Sequence, residues 1–166
     1  VIPRERMYER YRNSSPASGA LYQKGTESLL GGTTRTSVYF EPYPLYMNRG
    51  EGAYVWDEDG VLRIDFLNNY TSLIHGHSFG PVVEAVANQA RMGLCYGAPT
   101  TGEIQLAGIL REQIPSVEKL RFCSSGTEAV MYALRLAKAY TGKDKVAKFE
   151  GGFHGAHESV QFSFGP

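Results

Sequence analysis

The sequence predicts an α/β protein with a parallel sheet, and three observations carry the prediction. Residues 119–123 form an apolar strand pattern, residues 127–140 a helical pattern, and residues 146–149 a second strand pattern. Residues 81–94 and 102–114 carry apolar side chains at helical spacing just before them. In the first half, residues 53–56 and 62–66 flank Asp57-Glu58-Asp59-Gly60, which signals a β-hairpin.

In chain order, residues 1–36 are polar and turn-rich, with Ser14-Ser15-Pro16 and Gly31-Gly32, and are expected to lie over the surface of something else. Residues 38–40 and 45–47 are expected as short strands separated by Pro42 and Pro44. The hairpin follows, then the two helices, then the alternating strand and helix segments. No internal repeat or low-complexity tract interrupts this order.

The 166 residues are enough for one domain with a sizeable core. The 17 basic and 17 acidic side chains cancel, so no electrostatic nucleic-acid surface is expected. The apolar runs are too short to span a bilayer, and Val1-Ile2-Pro3-Arg4-Glu5-Arg6 lacks an apolar signal core. Cys95 and Cys123 do not make a disulfide framework, and Cys123 is expected as a small buried hydrophobe. Together these point to a cytoplasmic location. The chain has no initiator Met and stops at Phe164-Gly165-Pro166, just after a new apolar segment begins. It is therefore expected to be the N-terminal piece of a larger polypeptide, with a small complete domain as the alternative.

The chemistry is concentrated at Phe122-Cys123-Ser124-Ser125-Gly126-Thr127-Glu128, where a strand stops and a helix begins. Free backbone N–H groups at such a helix start can seat a phosphate. Ser125 and Glu128 have the spacing of a capping box, which makes Ser125 the expected N-cap. Gly126 lets a ligand approach the backbone, and Thr127 adds a hydroxyl. Gly142 is placed to end the helix, with Lys138 and Lys143 near its negative end. A capped helix that binds nothing fits the same residues. The two readings compete for the same donors, so a phosphate there would take the Ser125 side chain away from the cap.

Gly151-Gly152-Phe153-His154-Gly155-Ala156-His157 follows the second strand, where α/β folds bind ligands. Phe153 could stack on a flat ring, and His154 could support the loop or touch a ligand. The rival reading is a metal site from His75, His77, His154 and His157, but no thiol or carboxylate cluster completes a ligand set. A structural role in a tight glycine turn suits His75 and His77 better. Arg35 lies in the loop Gly31-Gly32-Thr33-Thr34-Arg35, where an arginine is ordinarily just solvated.

These residues, in order, resemble the class III pyridoxal-phosphate-dependent aminotransferases, in the branch of glutamate-1-semialdehyde 2,1-aminomutase and the β-amino-acid transaminases. The matching stretches include Gly52-Ala53-Tyr54-Val55-Trp56-Asp57-Glu58-Asp59-Gly60, Gly76-His77 and Tyr96-Gly97-Ala98-Pro99. The strongest are Ser125-Gly126-Thr127-Glu128-Ala129 and Lys148-Phe149-Glu150-Gly151-Gly152-Phe153-His154-Gly155.

The resemblance implies fold type I: residues 1–75 as N-terminal segment and small-domain strands, and 76–166 as the start of the large cofactor-binding α/β domain. It implies pyridoxal 5'-phosphate as cofactor, held by Ser125, Gly126, Thr127, Phe153 and His154, and a homodimer with active sites at its interface. Phe153 stands where these aminomutases often carry Tyr, which keeps ring stacking and drops a hydroxyl. Arg35 matches a loop arginine that contacts the substrate carboxylate. Its context, Arg35-Thr36-Ser37-Val38-Tyr39-Phe40-Glu41-Pro42-Tyr43-Pro44, looks like the β-amino-acid transaminases, whereas Tyr96-Gly97-Ala98-Pro99 leans toward the aminomutase.

The implied activity is amino-group transfer between a carboxylate-bearing amino acid and a keto acid. The alternatives are the intramolecular aminomutase and a non-catalytic phosphate-binding α/β module. The family's Schiff-base lysine matches no residue here, so no catalytic residue is assigned, and no metal.

Overall fold

The computed structural model describes residues 3–163. Phe164, Gly165 and Pro166, on which the expectation about the chain end rests, lie outside the described residues, as do Val1 and Ile2. The chain forms two compact units, divided between Cys95 and Tyr96.

Unit 1 opens with two helices, α1 (Arg4–Ser14) and α2 (Pro16–Thr26). This corrects the expectation of a turn-rich segment. The face that α2 buries is made of small residues: Ser15 and Ser18 are 0% exposed, and a Cβ on Gly19 would fall 2.9 Å from the Tyr43 ring. Ser and Gly register as polar or turn-forming in sequence, so the helical stripe has no apolar signature. Tyr43 fills the space that they leave. Its ring lies 5.2 Å from that of Tyr11 and 6.2 Å from that of Tyr22, and its hydroxyl donates to the Ser15 carbonyl.

The three-stranded antiparallel sheet has the order β1 (Met47–Glu51), β2 (Tyr54–Asp57), β3 (Leu62–Ile64). The hairpin between β2 and β3 is where the Asp-Glu-Asp-Gly signal puts it. The strands expected at 38–40 and 45–47 are absent as such: Thr36–Val38 is a 3-10 turn, and pairing begins only at Met47. Pro42 and Pro44 remove the amide donors that a ladder in between would need.

Two carboxylates of the hairpin turn do most of the joining. Asp57, 1% exposed, accepts from Arg63 through Nε at 3.1 Å and Nη2 at 2.6 Å, and from the Val61 amide at 2.8 Å. Asp59 reaches across to the start of α2 and accepts from the Ala17 and Ser18 amides at 2.7 and 3.2 Å. It therefore caps a helix distant in sequence.

After β3, the single turn α3 (Asn68–Thr71) winds left-handed, with φ of 50°, 47°, 57° and 67°. Each such residue costs about 1–2 kcal/mol. Asp65 offsets part of this by accepting from the Leu67 and Asn68 amides, both at 2.9 Å. Gly76 then approaches Gly52 so closely that a Cβ would sit 2.5 Å from its carbonyl oxygen, and His77 pairs with Gly52 through two backbone hydrogen bonds. Helix α4 (Gly80–Met92) completes unit 1 where its spacing predicts it. The domain boundary expected at 75/76 concerns the complete large domain, and it stays a proposal.

Unit 2 contains α5 (Thr101–Gln113) and α6 (Gly126–Thr141), both as predicted, and α6 ends at Gly142 in the left-handed conformation. Residues 119–123 and 146–149, expected as strands, have no ladder partner among the described residues. Strand patterns need neighbours to pair with, and here Phe122 and Phe149 remain exposed. Cys123, expected to be buried, is half-buried.

Asp57→Ala should leave the half-buried Arg63 and the Val61 amide without their acceptor and lower stability by roughly 1–3 kcal/mol. Asp59→Ala should cost only about 0.5–2 kcal/mol, the range of a lost N-cap. Urea unfolding of the two variants beside the parent measures both.

Candidate functional site

In unit 2, Ser125 adopts extended φ/ψ and its side chain accepts from the Glu128 amide at 3.2 Å, as an N-cap should. Glu128 does not close the expected box on Ser125. Its carboxylate accepts from the Ser124 amide at 2.9 Å, one residue earlier. The amides of Gly126 and Thr127, in the first turn, have no intrahelical acceptor. A Cβ on Gly126 meets nothing within 4 Å, so the space beside its Cα is open. Capping and ligand binding are also compatible here: a hydroxyl that accepts from Glu128 retains its own proton to donate.

The second loop closes on the first. The Ala156 amide donates to Thr127 Oγ1 at 3.1 Å, which leaves the hydroxyl proton of Thr127 available. Gly155, with φ of 103°, is buried against Thr127, and a Cβ there would fall 2.7 Å from Thr127 Cα. Sequence reasoning missed this contact, although three glycines in five residues marked a close approach. Lys148 fastens the same loop by donating to the carbonyls of Gly152 at 3.0 Å and Val160 at 3.1 Å, and to that of Phe162. Phe153 is 67% exposed. His154 is exposed and lies beside Gly152, where a Cβ would meet its Nε2 at 3.0 Å. Thus the loop that carries Phe153 and His154 is held against Thr127, next to Ser125 and Gly126 in the chain. His157 Nε2 is buried without a hydrogen-bond partner among the described residues, and no three metal-capable side chains gather there.

In unit 1, a cavity of about 540 Å3 lies beside the sheet, in the size range of small-molecule sites. Phe40, Leu45 and Met47 line its apolar side, and Arg49, Asp65, Asn69 and His77 its polar side. Asp65 and His77 are joined at 2.7 Å. The Asn68 amide, then His77, then the Leu67 amide hold the Asp65 carboxyl below the usual aspartate range. His75 stacks on Phe79 at 4.4 Å instead of facing His77. Arg35 is exposed, and its Nη1 donates to Asn69 Oδ1 at 3.1 Å.

Comparison with known proteins supplies a frame for these two sites. The family profile described as Aminotransferase class-III matches residues 37–160. A glutamate-1-semialdehyde 2,1-aminomutase of Methanothrix thermoacetophila is 46% identical over 144 residues, 87% of this chain and 34% of that protein. A structure described as a transaminase with PLP bound is 49% identical, with a TM-score of 0.85 over 88% of this chain and 34% of its own. A β-phenylalanine aminotransferase of Variovorax paradoxus is 34% identical, with a TM-score of 0.87 over 96% of this chain and 38% of its own. The chain thus spans about a third of the length of the relatives it matches. The fold of these neighbours is that of the fold type I aminotransferases, of which this chain carries an α/β part.

Two measurements probe these arrangements. Gly155→Ala should force the 151–157 loop off Thr127 and destabilise the protein by roughly 1–3 kcal/mol, read by thermal unfolding. Because Asp65 titrates lower in the folded state, its contribution is full above the unfolded value and lost as pH falls below about 4. Asp65→Asn should therefore flatten the acid limb of stability against pH, measured by denaturant titration from neutral pH downward.

Proposed function

The chain belongs to the class-III aminotransferase family, and we propose that it supplies the phosphate seat and the substrate-carboxylate contact of a pyridoxal-phosphate-dependent aminotransferase. The observation that carries this reading is the start of α6: two backbone donors without helical acceptors, two hydroxyl protons, and open space beside Gly126. This donor set fits a phosphate ester. The PLP-bound transaminase, alike over 88% of this chain, supports the same cofactor.

Ser125, Gly126 and Thr127 would hold the phosphate by charge-assisted hydrogen bonds. The 151–157 loop, fixed by Ala156 on Thr127 and by Lys148, would present Phe153 to the ring and keep His154 at its edge. When bound, the cofactor supplies an electron sink for bond breaking at the amino-bearing carbon. None of Lys138, Lys143, Lys145 and Lys148 is assigned the covalent role. Lys148 is committed to backbone carbonyls, and Lys138 lies in the last turn of α6. We assign that role to a lysine beyond residue 166, in a longer polypeptide whose further strands pair with residues 119–123 and 146–149. A homodimer with its active sites at the interface belongs to the same reading.

For the substrate, we propose an amino acid with a free carboxylate and the amino group β to it, with a keto acid as partner. Arg35 and its context support this, as does the likeness to the β-phenylalanine aminotransferase. The second reading, a 2,1-aminomutase, rests on the 46% identity to the Methanothrix protein. The two differ in whether a separate keto-acid acceptor is consumed.

The test of the seat is Gly126→Val, which places a branched side chain in the open space beside the Gly126 Cα. Pyridoxal phosphate affinity of the complete polypeptide, followed by the cofactor's absorbance, should fall roughly tenfold or more. Unchanged affinity would remove the assignment.

A further inference from the structure

Arg35 is held from a place that has no evident reason to be there. The turn Asn68–Thr71 winds left-handed through four non-glycine residues, and two of its consecutive side chains hold the Arg35 loop. Asn69 Oδ1 accepts from Arg35 Nη1 at 3.1 Å, and the Tyr70 hydroxyl donates to the Ser37 carbonyl at 3.0 Å. Asn69 is itself fixed, because its Nδ2 donates to Ser72 Oγ at 2.9 Å and that hydroxyl donates back to the Asn69 carbonyl at 2.9 Å. The amide oxygen is therefore aimed at Arg35, and the amide nitrogen is occupied elsewhere.

The chemical character of that acceptor matters. A carboxylate in the same place would orient the guanidinium equally well but would also neutralise it. A neutral amide oxygen engages one of five N–H donors and leaves the charge intact. Among the described residues, no carboxylate lies within ion-pair distance of Arg35.

We propose that Asn69 is a positioning and specificity residue: its side-chain oxygen directs the Arg35 guanidinium while leaving its charge for a substrate carboxylate. This inference rests on the reading of Arg35 as the carboxylate contact. Tyr70, bonded to the Ser37 carbonyl, fixes the other end of the same short stretch. The left-handed backbone is what brings both side chains to one loop.

The test uses the complete polypeptide loaded with pyridoxal phosphate. Calorimetry compares 3-phenylpropanoate, which carries the carboxylate, with 3-phenylpropanamide, which does not. Asn69→Asp keeps the shape and the tolerance for positive φ but adds a charge. It should weaken the acid roughly fivefold and leave the amide unchanged. Asn69→Gly keeps the left-handed backbone and deletes the acceptor, so it should also weaken the acid selectively, by less. Arg35→Lys, as reference, should weaken the acid in the parent background.

If Arg35→Lys weakens the acid but Asn69→Asp binds it like the parent, Asn69 is only a turn residue and the inference is overturned. Equal loss of acid and amide in Asn69→Asp would overturn it too. If Arg35→Lys leaves the acid unaffected, the reading of Arg35 fails, and the inference falls with it. Circular dichroism of each variant identifies any loss of fold, and a Gly variant that unfolds leaves the Asp comparison to decide.

Discussion

A helix begins with backbone N–H groups that no helical carbonyl can accept, and this shortage shapes both units of the chain. It is met in three different ways. At α2 the acceptor comes from far away, as the Asp59 carboxylate of the hairpin turn. At α5 it is local: Thr100 and Glu103 form a reciprocal capping box. At α6 it is local again. Ser125 serves Glu128, and Glu128 serves Ser124, but Gly126 and Thr127 are left over. The first arrangement builds tertiary structure; the other two cap locally and leave two first-turn amides without a helical acceptor, those of Thr101 and Gly102 in α5 and of Gly126 and Thr127 in α6. What sets the start of α6 apart is the 151–157 loop closed on Thr127.

The Asp59 contact has consequences beyond its own hydrogen bonds. It fixes the start of α2 on the hairpin, and α2 then carries Ser15, Ser18 and Gly19 to the Tyr43 ring. Ser18 Oγ in turn accepts from the Tyr46 amide at 3.1 Å, so the segment leading into β1 is held by the same helix. Unit 1 is organised by polar groups meeting backbone donors around one tyrosine, with few apolar side chains fully buried. Such a core is specific because each buried polar group has a partner, and it is vulnerable for the same reason.

That organisation explains what the sequence showed and what it concealed. The helices α4, α5 and α6 and the hairpin were legible because apolar spacing and turn residues are local signals. So was the N-cap at Ser125, since capping chemistry is written within four residues. Helix α2 was concealed, because its packed face is made of serine and glycine, and α1 because it is polar and buries none of its residues. The segments at 119–123 and 146–149 looked like strands because their composition suits a buried sheet, but pairing is a property of neighbours, which composition does not contain. The closure of Gly155 on Thr127 and the fastening of the loop by Lys148 join residues far apart in sequence, and only three dimensions disclose them.

The left-handed turn at Asn68–Thr71 is the feature least expected from its residues. Asn68 and Asn69 tolerate positive φ, since a short polar side chain can bond locally, but Tyr70 and Thr71 gain nothing from it. The conformation is held by Asp65 before the turn and by Ser72 after it. Asp65 is in turn held by His77, which pairs through its backbone with Gly52 and leaves no room for a side chain at Gly76. The constraint therefore runs from the sheet, through Gly52, His77 and Asp65, into the turn, and ends at the loop of Arg35. Strain of this kind persists only where its surroundings over-determine it, and it concentrates where a protein needs a side chain held in one direction. Here the direction is that of a single guanidinium, that of Arg35, which the small sheet holds through this relay.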